Sequence, residues 1–96
     1  ENSGVPKDFR LHQNYPNPFN PSTKIKYSVP QTNGGVNVEL VVLDETGREI
    51  ETLVNKVHTS GNYEIQWNAA NRSSGIYYCK LITGNYTETI KMILVK

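Results

Sequence analysis

The stretch that organises this chain reads Asn14-Tyr15-Pro16-Asn17-Pro18-Phe19-Asn20-Pro21-Ser22-Thr23. Each of its prolines fixes its own φ and removes a backbone hydrogen-bond donor. Each proline also pushes the preceding residue toward an extended conformation, which excludes a helix and disfavours a central strand. Asn-Pro pairs favour turns, because the Asn side chain can hydrogen-bond to nearby backbone. We therefore expect residues 14–21, the Asn-Pro segment, to turn stiffly and to bury Tyr15 and Phe19 at one end of a core.

The chain differs in composition on the two sides of this segment. Residues 1–8 are polar and contain Gly and Pro, which is typical of a flexible linker. The chain beyond them is rich in apolar residues that alternate with polar ones, and its length suits a single domain. We predict a linker at residues 1–8 and one domain at residues 9–96.

Seven short stretches of this domain have the composition of β-strands. Most of them alternate apolar and polar residues, which indicates strands with one buried face. Residues 48–54 also fit a short helix, whereas residues 40–43 are apolar on both faces and predict a central strand. Glycine-containing turn sequences separate the stretches, so we predict an antiparallel sandwich or small barrel. Residues 9–11 are expected to begin the packed region, and the predicted strands after them are residues 23–29, 36–43, 48–54, 63–67, 76–82 and 86–95.

The alternation also predicts which side chains point into the core. In a sandwich, two inward faces pack against each other across about 10 Å. Tyr63 and Trp67 fall on an inward face, which favours packing over a sugar-binding platform. The predicted inward set is Ile25, Tyr27, Val38, Leu40, Val42, Tyr63, Ile65, Trp67, Tyr77, Cys79, Leu81, Ile90, Met92 and Leu94.

Charge and composition exclude several classes of function. Ten basic and nine acidic residues give a net charge of +1, so no clustered basic face for nucleic acid is expected. No apolar run approaches the ~18 residues of a membrane span, so we expect no membrane insertion. Cys79 is predicted to be a buried apolar residue. A catalytic thiol would need a histidine partner, and the chain has only His12, just before the Asn-Pro segment, and His58, in a predicted loop. We therefore predict no Cys–His catalysis. Asp44 and Glu45 fit a solvated turn better than a calcium site. We predict no enzyme, no metal and no cofactor.

The order of the motifs resembles one known family, the type A C-terminal sorting domains of the bacterial type IX secretion system. That family shares its fold with the immunoglobulin-like domain of flagellar hook-capping proteins. The resemblance covers about residues 9–96 and departs at Thr59-Ser60, where the family often has proline. It implies an all-β fold, an immunoglobulin-like antiparallel β-sandwich of about seven strands. The matching motifs are residues 13–23, the Asp-x-x-Gly-Arg turn at 44–48, Gly-x-Tyr at 61–63, Ser-Gly-Ile-Tyr at 74–77 and the terminal strand at 91–96.

The resemblance implies a non-catalytic secretion signal. Such a signal directs an upstream cargo protein from the periplasm across the outer membrane to the cell surface or medium, and it is then cleaved off. The implied partners are the outer-membrane translocon, a sortase-like peptidase and the cargo. Cleavage is expected in residues 1–8, because proteases need an extended, exposed segment. The alternative is an accessory immunoglobulin-like module of a secreted enzyme, either a spacer or a module that attaches to polysaccharide or to the cell surface.

The resemblance also implies which residues the secretion machinery reads. Two of them, Lys91 and Lys96, are predicted to be exposed cations that steer docking to an acidic partner. For the glycines and tyrosines, turn formation and core packing are the competing roles. Open sandwich edges can pair between chains, so a weak homodimer is an open alternative to a monomer. The implied recognition residues are Gly61, Tyr63, Gly75, Tyr77, Lys91 and Lys96, and the boundary motif comprises Asn14, Pro16, Asn17, Pro18, Phe19, Asn20 and Pro21.

Overall fold

Alternating apolar residues give most strands one buried face, and the computed structural model, which describes residues 5–96, packs these faces into a two-sheet sandwich. Sheet A has the strand order β1-β2-β5, and sheet B has the order β4-β3-β6-β7. All named strand pairs are antiparallel, so the predicted seven-stranded sandwich is confirmed. The strands are β1 (Arg10–Leu11), β2 (Ser22–Val29), β3 (Val36–Leu43), β4 (Glu49–His58), β5 (Gly61–Asn68), β6 (Gly75–Thr83) and β7 (Tyr86–Leu94).

The described part of the chain contains no helix, and therefore none that could cross a membrane. Of the predicted linker, residues 1–4 lie outside the described residues, and residues 5–8 belong to no strand. The core holds most of the predicted inward set, joined by Leu11, Phe19 and Val29. Tyr63, Ile65 and Ile90 are half-buried and pack against its margin.

Strand β3 is central, as its apolar second half predicts. It pairs with β4 on one side and with β6 on the other. Val41 and Val42 point to opposite faces, yet both are fully buried. A strand covered on both faces loses its alternation, which is why this part of the sequence is continuously apolar.

Strand β4 confirms the strand predicted at residues 48–54, and it corrects the predicted end of that strand and the predicted loop position of His58. The residues read as either a strand or a short helix form a strand, and this strand runs on to His58. Its register against β3 shifts twice, at Leu40/Val41 and at Val42/Leu43. Such irregularities break the two-residue period, which explains the helix-like spacing in the sequence. His58 is therefore not a loop residue, and its side chain is buried.

Candidate functional site

The Asn-Pro segment joins the two sheets along one side of the sandwich. Its first part pairs with β2, since Tyr15 N donates to Lys24 O at 3.0 Å and Lys24 N donates to Tyr15 O at 3.0 Å. Its second part pairs with β7, since Phe19 N donates to Ile93 O at 2.9 Å and Val95 N donates to Phe19 O at 2.9 Å. The segment therefore crosses from sheet A to the outer edge of sheet B. The peptide bonds before Pro16, Pro18 and Pro21 are cis.

Two asparagines of this segment, Asn14 and Asn17, form hydrogen bonds through both ends of their amides. Asn17 Oδ1 accepts from Ile93 N at 2.9 Å, and its Nδ2 lies 3.5 Å from Lys91 O. The side chain thus takes the place of a backbone peptide on the edge of β7. Asn14 is buried and its Nδ2 donates to Thr23 Oγ1 at 2.9 Å. A carboxylate could not supply these donated hydrogen bonds, which accounts for asparagine at both positions.

The two aromatic residues of the segment have opposite environments. Phe19 is 2% exposed, and its ring centroid lies 5.7 Å from that of Trp67, as predicted for a core plug. Tyr15 is 80% exposed, so the prediction that it plugs the core is wrong. Directly paired residues of antiparallel strands share a face, and Lys24, the partner of Tyr15, lies on the outer face of sheet A. Pairing with Lys24 therefore turns the Tyr15 ring outward.

The other members of the motif lie nearer the surface. Pro16, Pro18 and Asn20 are exposed, whereas Pro21 is half-buried. The Pro21 carbonyl accepts from Ala69 N at 2.8 Å and so joins the start of β2 to the loop after β5. These residues set the path of the chain more than they fill the core.

The predicted recognition residues Gly61, Tyr63, Gly75 and Tyr77 form two copies of one local device. Each tyrosine hydroxyl donates at 2.6 Å to the carbonyl four residues earlier, Tyr63 to Thr59 and Tyr77 to Ser73. The glycine two residues before each tyrosine has a φ of 154° or 151°. This region is essentially restricted to glycine. The arrangement is similar to the tyrosine corner of immunoglobulin-like sandwiches.

These corners begin β5 and β6 and leave each tyrosine hydroxyl bonded within the chain. The sequence contains a signal for these corners that was missed when each motif was taken singly. Residues 59–63 and residues 73–77 share the pattern Thr/Ser-Ser-Gly-x-Tyr. In the structure these four residues fix the backbone conformation at the first residues of β5 and β6. Direct contact between them and the secretion machinery stays a prediction.

A stack of three rings closes the sandwich near the first corner. Each ring contacts the other two, with centroid distances of 5.7 Å for Tyr27–His58, 5.4 Å for Tyr27–Tyr63 and 4.1 Å for His58–Tyr63. The Tyr27 hydroxyl and His58 Nε2 are 2.7 Å apart. Burial, with a smaller contribution from Tyr63, raises the pKa of Tyr27 to about 12. This cluster could not be predicted from local sequence, since it brings together one residue each from β2, β4 and β5.

The two predicted cations have different surroundings. Both lysines are exposed residues, as predicted. Lys96 Nζ donates to Ala70 O at 2.7 Å and to Arg72 O at 2.8 Å. The Lys96 side chain therefore holds the loop between β5 and β6 through two hydrogen bonds. Lys91 contributes its backbone carbonyl, which accepts from Gln13 Nε2 at 2.8 Å. The Lys91 side chain is thus the more accessible of the two charges.

The seam between β1 and β7 carries a shifted carboxyl. Leu11 N donates to Glu88 Oε1 at 2.9 Å, and the Tyr86 hydroxyl donates to the same oxygen. Burial opposes ionisation of Glu88 most strongly. The two hydrogen bonds, aided by electrostatic interactions with Arg10 and His12, outweigh it and lower the pKa of Glu88.

The residues weighed for catalysis or metal binding serve the fold. Cys79 is fully buried, and burial raises the pKa of its thiol to about 12. Asp44 Oδ1 accepts from Thr46 Oγ1, Thr46 N and Arg48 N, and these bonds hold the pKa of Asp44 at about 2. Among residues 5–96, no three His, Cys, Asp or Glu side chains gather as metal ligands.

The comparison with known families assigns the chain. A family model described as the secretion system C-terminal sorting domain matches residues 13–96. The chain belongs to this family, the C-terminal sorting domains of the type IX secretion system. Comparisons with curated proteins and with solved structures found no match. The matched part of the sorting domain contains the Asn-Pro segment, both tyrosine corners and the two predicted lysines. Its signature residues are thus largely the residues that build this sandwich.

Proposed function

We propose that the sorting domain is a folded, non-catalytic export label. It directs an upstream cargo protein through the type IX system, by way of the periplasm and outer membrane, to the cell surface or medium. The observation that carries this proposal is the family match over residues 13–96. The hydrogen bonding of the signature residues supports it. Asn17, Phe19, Tyr63 and Tyr77 hold the chain in one shape that a receptor can read.

The domain begins at residue 9 and is preceded by a linker at residues 1–8, where the sortase-like peptidase cuts. Phe9 is the first residue with an aromatic contact to the sandwich, its ring centroid lying 5.3 Å from that of Tyr86. Beyond it, Leu11 is fixed to both β2 and β7. A protease needs an extended segment that can enter its cleft, and strands held in a sheet resist this. Cleavage before Phe9 leaves the label intact and frees the cargo.

The proposal is tested with residues 1–96 fused to a periplasmic reporter in a host that has the type IX system. The reporter is expected on the cell surface or in the medium, and to stay in the periplasm of a host lacking the translocon. The mass of the exported reporter locates the cleavage, which is expected within residues 1–8. A reporter that stays periplasmic in the competent host contradicts the proposal. An exported reporter that keeps the label contradicts the cleavage step alone.

A further inference from the structure

The outer face of sheet A has a distinct surface chemistry. The strict alternation of β2 buries Ile25 and Tyr27 and turns Lys24 and Lys26 outward. Across the sheet, Lys24 pairs with Gln66 and Lys26 pairs with Glu64. Arg10 of β1 pairs with Ser28 and lies on the same outer face. This outer face, defined here by Arg10, Lys24, Lys26 and Glu64 together with Tyr15, is called the basic face.

Positive charge is concentrated on the basic face. Glu64 is shared by two cations, at 3.5 Å from Lys24 Nζ and 3.9 Å from Lys26 Nζ. Three cations and one carboxylate give the face a formal charge of +2, whereas the whole chain carries +1. The remainder of the protein is therefore slightly negative. Exposed His12 lies beside Lys26, and its backbone nitrogen donates to the Lys26 carbonyl at 3.0 Å.

Tyr15 stands at one end of this face without a packing role. Its side chain is 80% exposed, although its backbone is fixed to Lys24 by two hydrogen bonds of 3.0 Å. A depression of about 460 Å³ runs along the face beside it, lined by His12, Gln13, Tyr15, Lys24, Lys26 and Glu64. A rigid backbone presents the aromatic ring to solvent at low cost in entropy. Tyrosines of this kind are frequent hot spots of protein interfaces.

We propose that the basic face docks an extended acidic segment of a partner protein. The spacing of the charges favours this partner, because Lys24 and Lys26 lie on one side of one strand, about 6.8 Å apart. Alternate side chains of an extended peptide have the same spacing, so carboxylates at every second position meet both lysines. Tyr15 then packs against an apolar part of the same segment. This inference rests on the proposed function, since it names the chemistry of the protein that reads the label.

Electrostatic attraction predicts how such docking behaves. Exposed complementary charges mainly raise the association rate, and salt screens them within about 8 to 10 Å. Binding is therefore expected to weaken severalfold when the salt concentration is raised from low to physiological values. The Tyr15 contribution, by contrast, is insensitive to salt.

The direct test measures binding of residues 1–96 to a fluorescent 12-residue peptide with Glu at every second position, by anisotropy. Two variants alter the face: Lys24→Glu/Lys26→Glu and Tyr15→Ala. The matched control, Arg48→Glu/Lys80→Glu, makes the same charge change in the turn between β3 and β4 and on β6, away from sheet A. We expect at least tenfold weaker binding for the first variant, about tenfold for Tyr15→Ala and less than twofold for the control. Circular dichroism establishes that each variant is folded.

Several outcomes overturn the inference. These are no binding by the wild type, equal binding of a peptide with Gln in place of Glu, or an equal loss in the control. Binding of polygalacturonate but not of the peptide would make the partner a polysaccharide.

Reporter export separates this inference from the proposed function. A wild-type label that is not exported contradicts the proposed function. Full export of both basic-face variants contradicts only the docking surface.

Discussion

Truncation of Phe19 tests whether the Asn-Pro segment is part of the folding unit. In Phe19→Ala the ring that lies beside Trp67 is removed, while the backbone bonds from Phe19 to Ile93 and Val95 can remain. The side chain is 2% exposed, so nearly all of its surface returns to water on unfolding. The substitution therefore measures the burial of one side chain rather than the loss of the segment.

The size of the effect follows from transfer and cavity terms. Full burial of a Phe side chain contributes about 1.5–3 kcal/mol. A residual cavity of roughly 60 Å³ adds about 1.5 kcal/mol at ~24 cal/mol per Å³. Partial burial in the unfolded chain reduces the transfer term by roughly 10–40%. We expect Phe19→Ala to lower the free energy of unfolding by about 3 kcal/mol, a large fraction of the roughly 5–14 kcal/mol available to a domain of this size.

Urea unfolding followed by the fluorescence of Trp67, with circular dichroism as a second probe, measures this change. Trp67 is the chain's single tryptophan and lies beside the mutated ring. Phe19→Leu, which keeps most of the volume, is expected to cost less than about 1.5 kcal/mol. Tyr15→Ala, four residues earlier in the chain, removes an exposed ring and should cost less than about 0.5 kcal/mol. A loss below about 1 kcal/mol for Phe19→Ala would refute the reasoning and would leave Phe19 as a surface residue.

Three further predictions concern individual groups. Tyr77→Phe is expected to lower the free energy of unfolding by about 1–2 kcal/mol, because the Ser73 carbonyl loses its donor. The less buried counterpart Tyr63→Phe is expected to lower it by less, and equal urea midpoints for wild type and Tyr77→Phe would contradict the prediction. Asp44 has a folded pKa of about 2 against 3.8 for the free group, so its stabilisation is present above pH 4 and is lost as the pH falls through 2. The stability of Asp44→Asn should therefore depend less on pH between 4 and 2, and an NMR titration midpoint near 4 for Asp44 would oppose this. The Cys79 thiol, with a pKa of about 12, should react with thiol reagents only in step with urea unfolding, and rapid labelling of the folded protein would show that it is accessible.

The strands could largely be predicted from the sequence because burial alternates where a strand has one covered face. β2 shows this pattern in its buried Ile25 and Tyr27, and the prediction missed its start by one residue. In β4 the irregular register removed the signal, so its length and the burial of His58 could not be predicted. Local sequence contains no information about a register shift that depends on the neighbouring strand.

The Asn-Pro segment was predicted to turn, but the environments of its two aromatic residues were predicted alike. Composition indicates that Tyr15 and Phe19 are held by a stiff chain, yet it does not tell which sheet each residue meets. Tyr15 pairs with Lys24 and faces outward, whereas Phe19 pairs with β7 and faces the core. These environments are set by hydrogen bonds to residues far along the chain, which a local pattern cannot encode.

The internal bonding of the signature residues changes how mutations in this family should be interpreted. A residue whose polar atoms are satisfied inside the fold, such as Tyr77 or Asn17, affects secretion through the shape of the label whether or not a receptor touches it. The same holds for Gly75, where a φ of 151° makes any side chain unfavourable. Loss of export in these variants therefore cannot separate recognition from folding. Tyr15 and Lys91 can separate them, because both side chains are exposed and we expect their removal to leave the sandwich intact.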